Sequence, residues 1–233
     1  LDLTLPTAAE NIALDEALLE EAEAAAGPVE TLRLWESPHP LVVVGRSSRI
    51  DIEVRADVCR EAGIPVLRRA SGGAAIVAGP GCLMYAVVLS YQRRPHLRVL
   101  DHAHRHVLDV LGGALAPLAS GVQRRGTSDL AIGDLKISGN SARCRRDYLL
   151  YHGTLLYDFP LDLVERCLAM PPRMPDYRER RAYGRFITNL PLTAEVLRQA
   201  IVAAFEANEP YGVWPVDRTA RLVAEKYGRP EWN

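Results

Sequence analysis

The chain has 233 residues, 48% hydrophobic and 24% charged, enough apolar material for a core that needs no covalent or metal staple. Its formal net charge of −1 gives no electrostatic reason for a nucleic-acid partner. Cys59, Cys82, Cys144 and Cys167 are scattered without a CxxC pair, which argues against a structural zinc and for reduced thiols, and no apolar run reaches the roughly 20 residues of a membrane span.

Thr7-Ala8-Ala9-Glu10 has the form of a capping box, so a helix is expected from residue 8 to about 26, carried by Ile12, Leu14, Leu18 and Leu19 and stopped by Gly27-Pro28. Residues 31–35 alternate like a strand, Ser37-Pro38-His39-Pro40 reads as a turn, and residues 41–44 form an apolar run suited to a central strand. A helix over 52–62 closed by Gly63, a strand over 65–69, the turn Ser71-Gly72-Gly73 and a broken strand over 74–77 follow. Further strands are expected at 83–90 and 149–157, and a hairpin over 129–138 turning at Gly133-Asp134. Helices are expected over 97–111, 161–169, 194–207 and 216–227. Strands joined by short turns, interleaved with helices, predict an α+β fold with a mixed, largely antiparallel central sheet flanked by helices.

Three segments carry candidate chemistry. In Arg68-Arg69-Ala70-Ser71-Gly72-Gly73, a strand ends in two cations and a turn whose glycines let backbone N–H groups approach an anion; an ordinary Gly-Gly turn is the alternative. In the 129–138 hairpin, strict alternation places Leu135 and Ile137 on one face and Asp134, Lys136 and Ser138 on the other, so Lys136 projects between apolar neighbours where it could hold a carboxylate or phosphate. Of 28 basic residues only Lys136 and Lys226 are lysine, which singles out places where a compact charge suits better than a planar fork. The third segment is Tyr151-His152-Gly153-Thr154. His102, His106 and Asp109 share a helix face at metal-ligand spacing, but no HExxH pattern accompanies them and they read as a solvated face; no metal ligands are assigned.

The ordered set resembles the lipoate–protein ligase A family of the biotin/lipoate ligase superfamily. The carriers are Asn11 to Glu16, Leu34-Trp35, Val43-Val44-Gly45-Arg46, Arg68 to Gly73, Ser128-Asp129-Leu130, Lys136-Ile137-Ser138-Gly139, His152 to Leu156, and Lys226-Tyr227 with Glu231-Trp232-Asn233. The resemblance implies a fold like that of biotin ligases and class II aminoacyl-tRNA synthetases. It implies ATP and lipoate or octanoate as substrates, Mg²⁺ as cofactor, and a lipoyl-domain lysine as acceptor. By the motif match, Arg69, Ser71, Gly72, Gly73, Ala74, Ala75, Ile76, Val77, Asp129 and Lys136 line the nucleotide and acyl-adenylate, with Lys136 catalytic. Arg46, Ser138, Gly139, His152, Gly153 and Thr154 are the substrate-pocket candidates. The expected organisation is one catalytic domain over residues 1–233 without a C-terminal accessory domain, served by a separate accessory chain or working without one. Leu1 to Glu10 lacks the form of a signal peptide, so the expected location is the cytoplasm.

The pattern departs from the family at one loop. Ala78-Gly79 stands where a His-Asp pair is usual, Cys82 where Asn is usual, and Ala74 replaces a third glycine. Gly79-Pro80-Gly81 with Leu83 instead resembles octanoyltransferases of the superfamily, which work without ATP through a cysteine thioester. Cys167 is then the alternative nucleophile, although its apolar helical surroundings favour a buried, unreactive thiol. Cys144, among Arg143, Arg145 and Arg146, is better placed for a thiolate but sits at a less family-like position. A non-catalytic scaffold of the same fold is the third reading.

Overall fold

The computed structural model describes residues 1–233, and two sheets and seven helices organise it. Helix α1 (Ala8–Ala24) opens with the expected capping box: Thr7 Oγ1 accepts from Glu10 N, and the Glu10 carboxylate accepts from Thr7 N. Strand β1 (Thr31–Trp35) leads to the apolar β2 (Leu41–Val44), buried throughout. After β3 (Val66–Arg68) and β4 (Ile76–Ala78), the long β5 (Cys82–Ser90) crosses the molecule. Helix α4 (Leu100–Leu115), the strands β6 (Val122–Arg125), β7 (Asp129–Ile132), β8 (Leu135–Cys144) and β9 (Tyr148–Leu156), and helices α5 (Asp162–Cys167), α6 (Ala194–Ala204) and α7 (Val216–Leu222) complete the chain.

Six strands form an antiparallel sheet in the order β1-β5-β9-β8-β7-β6. A smaller sheet, β3-β2-β4, pairs β2 parallel to β3 and antiparallel to β4. Strand β5 shows why the large sheet is apolar on both faces. Cys82, Met84, Ala86 and Val88 enter the core shared with α1 and the small sheet, whereas Leu83, Tyr85, Val87 and Leu89 enter the core beneath α4 and α6. No helix is long and apolar enough to cross a membrane.

Several expectations need correction. The helix expected over 52–62 is two, α2 (Ile50–Glu53) and α3 (Ala56–Glu61), because Val54 turns extended to bridge Leu168 and Arg55 N donates to Cys167 O at 2.8 Å. The helix expected from 97 starts at Leu100, preceded by a 3-10 turn, Pro95–Arg98. Strand β6, with Gln123, Arg124 and Arg125 among its four residues, was not expected at all. The final helix gives way to a π-helical turn over Val223–Tyr227. Between α5 and α6, the chain runs beside β8: Lys136 N donates to Phe186 O (2.7 Å) and Thr188 N to Lys136 O (2.9 Å).

Candidate active site

The turn joining β3 to β4 has its carbonyls tied inward. Arg69, 7% exposed, donates from Nε to Ser71 Oγ and Gly72 O (both 3.1 Å), from Nη1 to Val43 O (3.1 Å), and from Nη2 to Gly72 O (2.5 Å) and Ala74 O (3.0 Å). Arg46 N takes Ser71 O (2.8 Å), Ser48 Oγ takes Gly73 O (3.0 Å), and Ser141 Oγ also takes Gly72 O (2.8 Å). The N–H groups of Gly72, Gly73 and Ala74 have no acceptor within the protein, and Gly73 adopts φ +89°. Successive free N–H groups beside a left-handed residue make a concave anion-binding surface. Burial pulls the Arg69 pKa down to about 10, so it stays charged at neutral pH. Arg69 therefore builds the loop, with all three guanidinium nitrogens already engaged. Gly45 lets the loop sit close: a Cβ there would lie 1.9 Å from Gly73 O. Glu53, buried at 7%, closes the far end by accepting from Ala75 N at 2.8 Å.

A chain of polar contacts anchors this loop to the core. Helix periodicity puts Asn11 and Asp15 on one face of α1 against β1. There the fully buried Arg33 donates to Asp15 Oδ1 and to Asn11 O, both at 2.6 Å. Burial lowers the Arg33 pKa and the Asp15 charge opposes that shift. The second Asp15 oxygen lies 3.2 Å from His152 Nδ1, and His152 Nε2 lies 2.5 Å from Ser71 Oγ. An ionised Asp15 accepts from Nδ1–H, which leaves Nε2 to accept the Ser71 hydroxyl proton.

At the other end of the sheet face, Lys136 Nζ is 2.7 Å from Asp129 Oδ1, and Tyr177 donates its hydroxyl to Asp129 Oδ2 at 2.8 Å. Burial, and then the Asp129 charge, push the Tyr177 pKa well up, so its proton stays available to the carboxylate. Gly139 gives the ammonium room, since a Cβ there would lie 3.0 Å from Lys136 Cε and Nζ.

The expectation that Ser138 shares the Lys136 face fails, because the pairing slips between Leu130 and Ala131: Ser138 pairs Leu130 while Lys136 pairs Ala131. The extra residue in β8 turns Ser138 beneath the sheet, where it bonds Asn140, itself a partner of Tyr85. Gly153 faces the same way; a Cβ on it would lie 1.8 Å from Asn140 Oδ1. Thr154 stays on the site face and accepts from Gly139 N at 3.3 Å. In β4, Val77 is buried in the core and Ile76 packs against it. Asp134 pairs with Arg125 at the hairpin tip.

Sequence reasoning missed Asp15, Arg33, Glu53, Ser141, Tyr177 and Arg143. The four-residue spacing of Asn11 and Asp15 was the available signal for the first. Arg143 follows Gly139 and Ser141 on alternate positions of β8 and so faces the same way. Its Nε is buried without a partner, and burial followed by the charge of nearby Arg46 lowers its pKa. Arg46 itself is exposed at the loop's edge. From Lys136 to Arg143 the strand runs about 20 Å, so a cation stands toward each end of the strand that borders the N–H surface. Cys167 lies elsewhere, fully buried, its thiol pushed up to about 11 by burial and the neighbouring Cys59.

The family model for the lipoyl protein ligase A/B catalytic domain matches residues 7–206. An Aeropyrum pernix protein assigned to lipoate-protein ligase A is 35% identical over 63% of the chain, which spans 52% of that protein's length. An octanoyltransferase, LipM, from Carboxydothermus hydrogenoformans is 26% identical over 96% of the chain and 93% of its own length. Among solved structures, the bi-partite lipoate protein ligase of Thermoplasma acidophilum, studied with its E2 lipoyl domain, covers 100% of the chain and 93% of its own with TM-score 0.84 and 21% identity. A lipoate-protein ligase A bound with ATP matches 100% of the chain and 95% of its own at TM-score 0.76 and 22% identity. At such identities these two structures establish the shared fold.

Proposed function

The chain belongs to the lipoyl protein ligase A/B catalytic-domain family, and from that premise we propose that it activates lipoate or octanoate with ATP and passes the acyl group to a lysine of a lipoyl-domain protein. The observation that carries the reading is the 72–74 turn, whose carbonyls are bound inward while its N–H groups remain free. Donors fixed in that way favour charge at a carboxylate or α-phosphate without reorganising during the reaction.

A carboxylate is a poor acyl donor until one oxygen becomes part of a good leaving group, and AMP supplies one. In the proposed first step, an acid oxygen attacks the ATP α-phosphorus and pyrophosphate leaves. Lys136 would neutralise the charge developing at the phosphate and acyl carbonyl, with Asp129 and Tyr177 holding its position. Arg143 and Arg46 would attract the anionic substrates. In the second step, the acceptor amine attacks the acyl carbon and AMP leaves. The ATP-bound ligase of the same fold and the Thermoplasma ligase with its lipoyl domain support this choice of substrates and acceptor.

Mg²⁺ fits the donor set only as a nucleotide-borne ion. No cluster of three or more acidic or His/Cys ligands is present; Asp129 could supply one carboxylate, leaving phosphate oxygens and water for the rest, as Mg²⁺ commonly accepts. Bound there, it would offset phosphate charge.

The test is ATP–pyrophosphate exchange with Mg²⁺ and lipoate or octanoate, beside a control without acid. Acid-dependent exchange is expected; none with either acid would overturn adenylation. The octanoyltransferase relative motivates a second reading, acyl transfer from a thioester donor through a cysteine. An acyl-thioester on Cys167 or Cys144, found by mass spectrometry, would establish it.

A further inference from the structure

We propose that Asp15, His152 and Ser71 form the proton-accepting relay of the acyl-transfer step, with the Ser71 hydroxyl meeting the incoming amine. This rests on the ligase reading above. The geometry is that of a base oriented by an acid: Asp15 Oδ2 is 3.2 Å from His152 Nδ1, and Nε2 is 2.5 Å from Ser71 Oγ. Arg33 holds the other Asp15 oxygen at 2.6 Å, which fixes the orientation of the carboxylate. The Arg69 Nε–H donates to Ser71 Oγ at 3.1 Å, so the hydroxyl's own proton is directed to the imidazole.

The placement suits the second step. Ser71 immediately precedes the free N–H groups of Gly72, Gly73 and Ala74. An acyl carbonyl held by those donors has its carbon beside the serine, where an attacking nitrogen would arrive. As the amine nitrogen bonds to the acyl carbon and the carbon–oxygen bond to phosphate breaks, AMP departs with that electron pair. One proton leaves the nitrogen for Ser71 Oγ while the Ser71 proton moves to His152 Nε2. The resulting imidazolium is stabilised by Asp15 and returns its proton to solvent. Ser71 is only 1% exposed, so neither water nor an amine reaches its hydroxyl in the resting loop, and the acceptor lysine must displace covering atoms to meet it.

Two acceptors separate this relay from a merely structural contact. A lysine amine, with a solution pKa near 10.4, needs a base, whereas hydroxylamine is already unprotonated at neutral pH and traps an acyl-adenylate as the hydroxamate. Wild type, His152→Gln and Ser71→Ala would be compared with ATP, Mg²⁺, octanoate and either a lipoyl domain or hydroxylamine. General-base assistance is worth about 10²–10⁴-fold, so each variant should lower lysine transfer at least about 30-fold more than hydroxamate formation. The loss should fall on kcat, with the KM for the lipoyl domain kept. A parallel fall of both products overturns the relay alone. Absence of hydroxamate from the wild type overturns the ligase reading and the relay with it. Circular dichroism on both variants guards against unfolding, and agreement between two substitutions at different positions is required.

Discussion

Lys136 Nζ stands 2.7 Å from Asp129 Oδ1, and this pair is one of two lysine–carboxylate contacts in a chain that otherwise uses arginine. The lysine is partly exposed and its partner nearly buried, at 26% and 6% of their side chains. The ammonium is therefore held from below and open to a ligand from above. Lys136→Ala should abolish acid-dependent pyrophosphate exchange while changing the melting temperature little. Lys136→Arg should fail as well, because a planar fork cannot occupy the space left by Gly139. Wild-type exchange in Lys136→Ala removes Lys136 from the chemistry, and wild-type exchange in Lys136→Arg shows that a cation of either shape serves there.

The same crowding gives a subtler probe. Gly139→Ala places a methyl 3.0 Å from Lys136 Cε and Nζ, and a flexible side chain can yield. The expected cost in stability is below about 1 kcal/mol, but the ammonium must leave its position. Exchange activity should fall more than tenfold in a variant whose denaturant midpoint is close to wild type. Unchanged activity would mean that the placement of Lys136 beside Asp129 is not needed.

Gly45→Ala tests the loop through its backbone. The added methyl would lie 1.9 Å from Gly73 O and 3.0 Å from Gly73 C, so the turn must shift bodily. Overpacking of this kind costs about 1–3 kcal/mol. The displaced N–H groups should weaken ATP binding, read by calorimetry, more than tenfold. A variant that binds ATP normally would show that the turn at 72–74 does not contact the nucleotide.

Much of the scaffold was legible because local chemistry and tertiary structure agree there. The capping box at Thr7 and the apolar runs of β2, β5 and β9 leave few alternatives. Where a long-range contact decides, local reasoning failed: Val54 leaves the helix to bridge Leu168, and one extra residue in β8 reverses Ser138. Arg69 was legible as a loop residue but not as the side chain that consumes the loop's carbonyls. The contact of Asp15 with His152 spans 137 residues, so only the folded sheet brings that pair together.

Glu16 predicts part of the acid sensitivity. Burial pushes its pKa up, but hydrogen bonds from Lys226 and Tyr227, each 2.6 Å from Oε2, outweigh burial and leave it below the ordinary value. A depressed folded pKa means stability present above the unfolded value of about 4.3 and lost as pH falls through the lower, folded one. Glu16→Gln should be less stable than wild type at pH 7, by about 1–3 kcal/mol. The gap should close as pH drops below about 4. Denaturant unfolding of both proteins across pH measures it; a gap constant with pH would show that Glu16 does not titrate between the two states.

Cys167 separates the two routes to an acylated lysine. A thioester route needs an accessible thiolate, yet Cys167 is fully buried and its thiol is pushed up to about 11 by burial and by Cys59. Its carbonyl is occupied by Arg55 N at 2.8 Å, which joins α3 to the end of α5. Cys167→Ala removes only the sulfur from an apolar contact and should cost about 1–2 kcal/mol. Adenylation and ligation, normalised to folded protein, should persist. Transfer from an octanoyl thioester donor without ATP should be absent in both wild type and variant. Were that transfer present in the wild type and lost in Cys167→Ala, the helix carrying Cys167 would have to open during turnover, and the ATP-independent route would replace the one proposed.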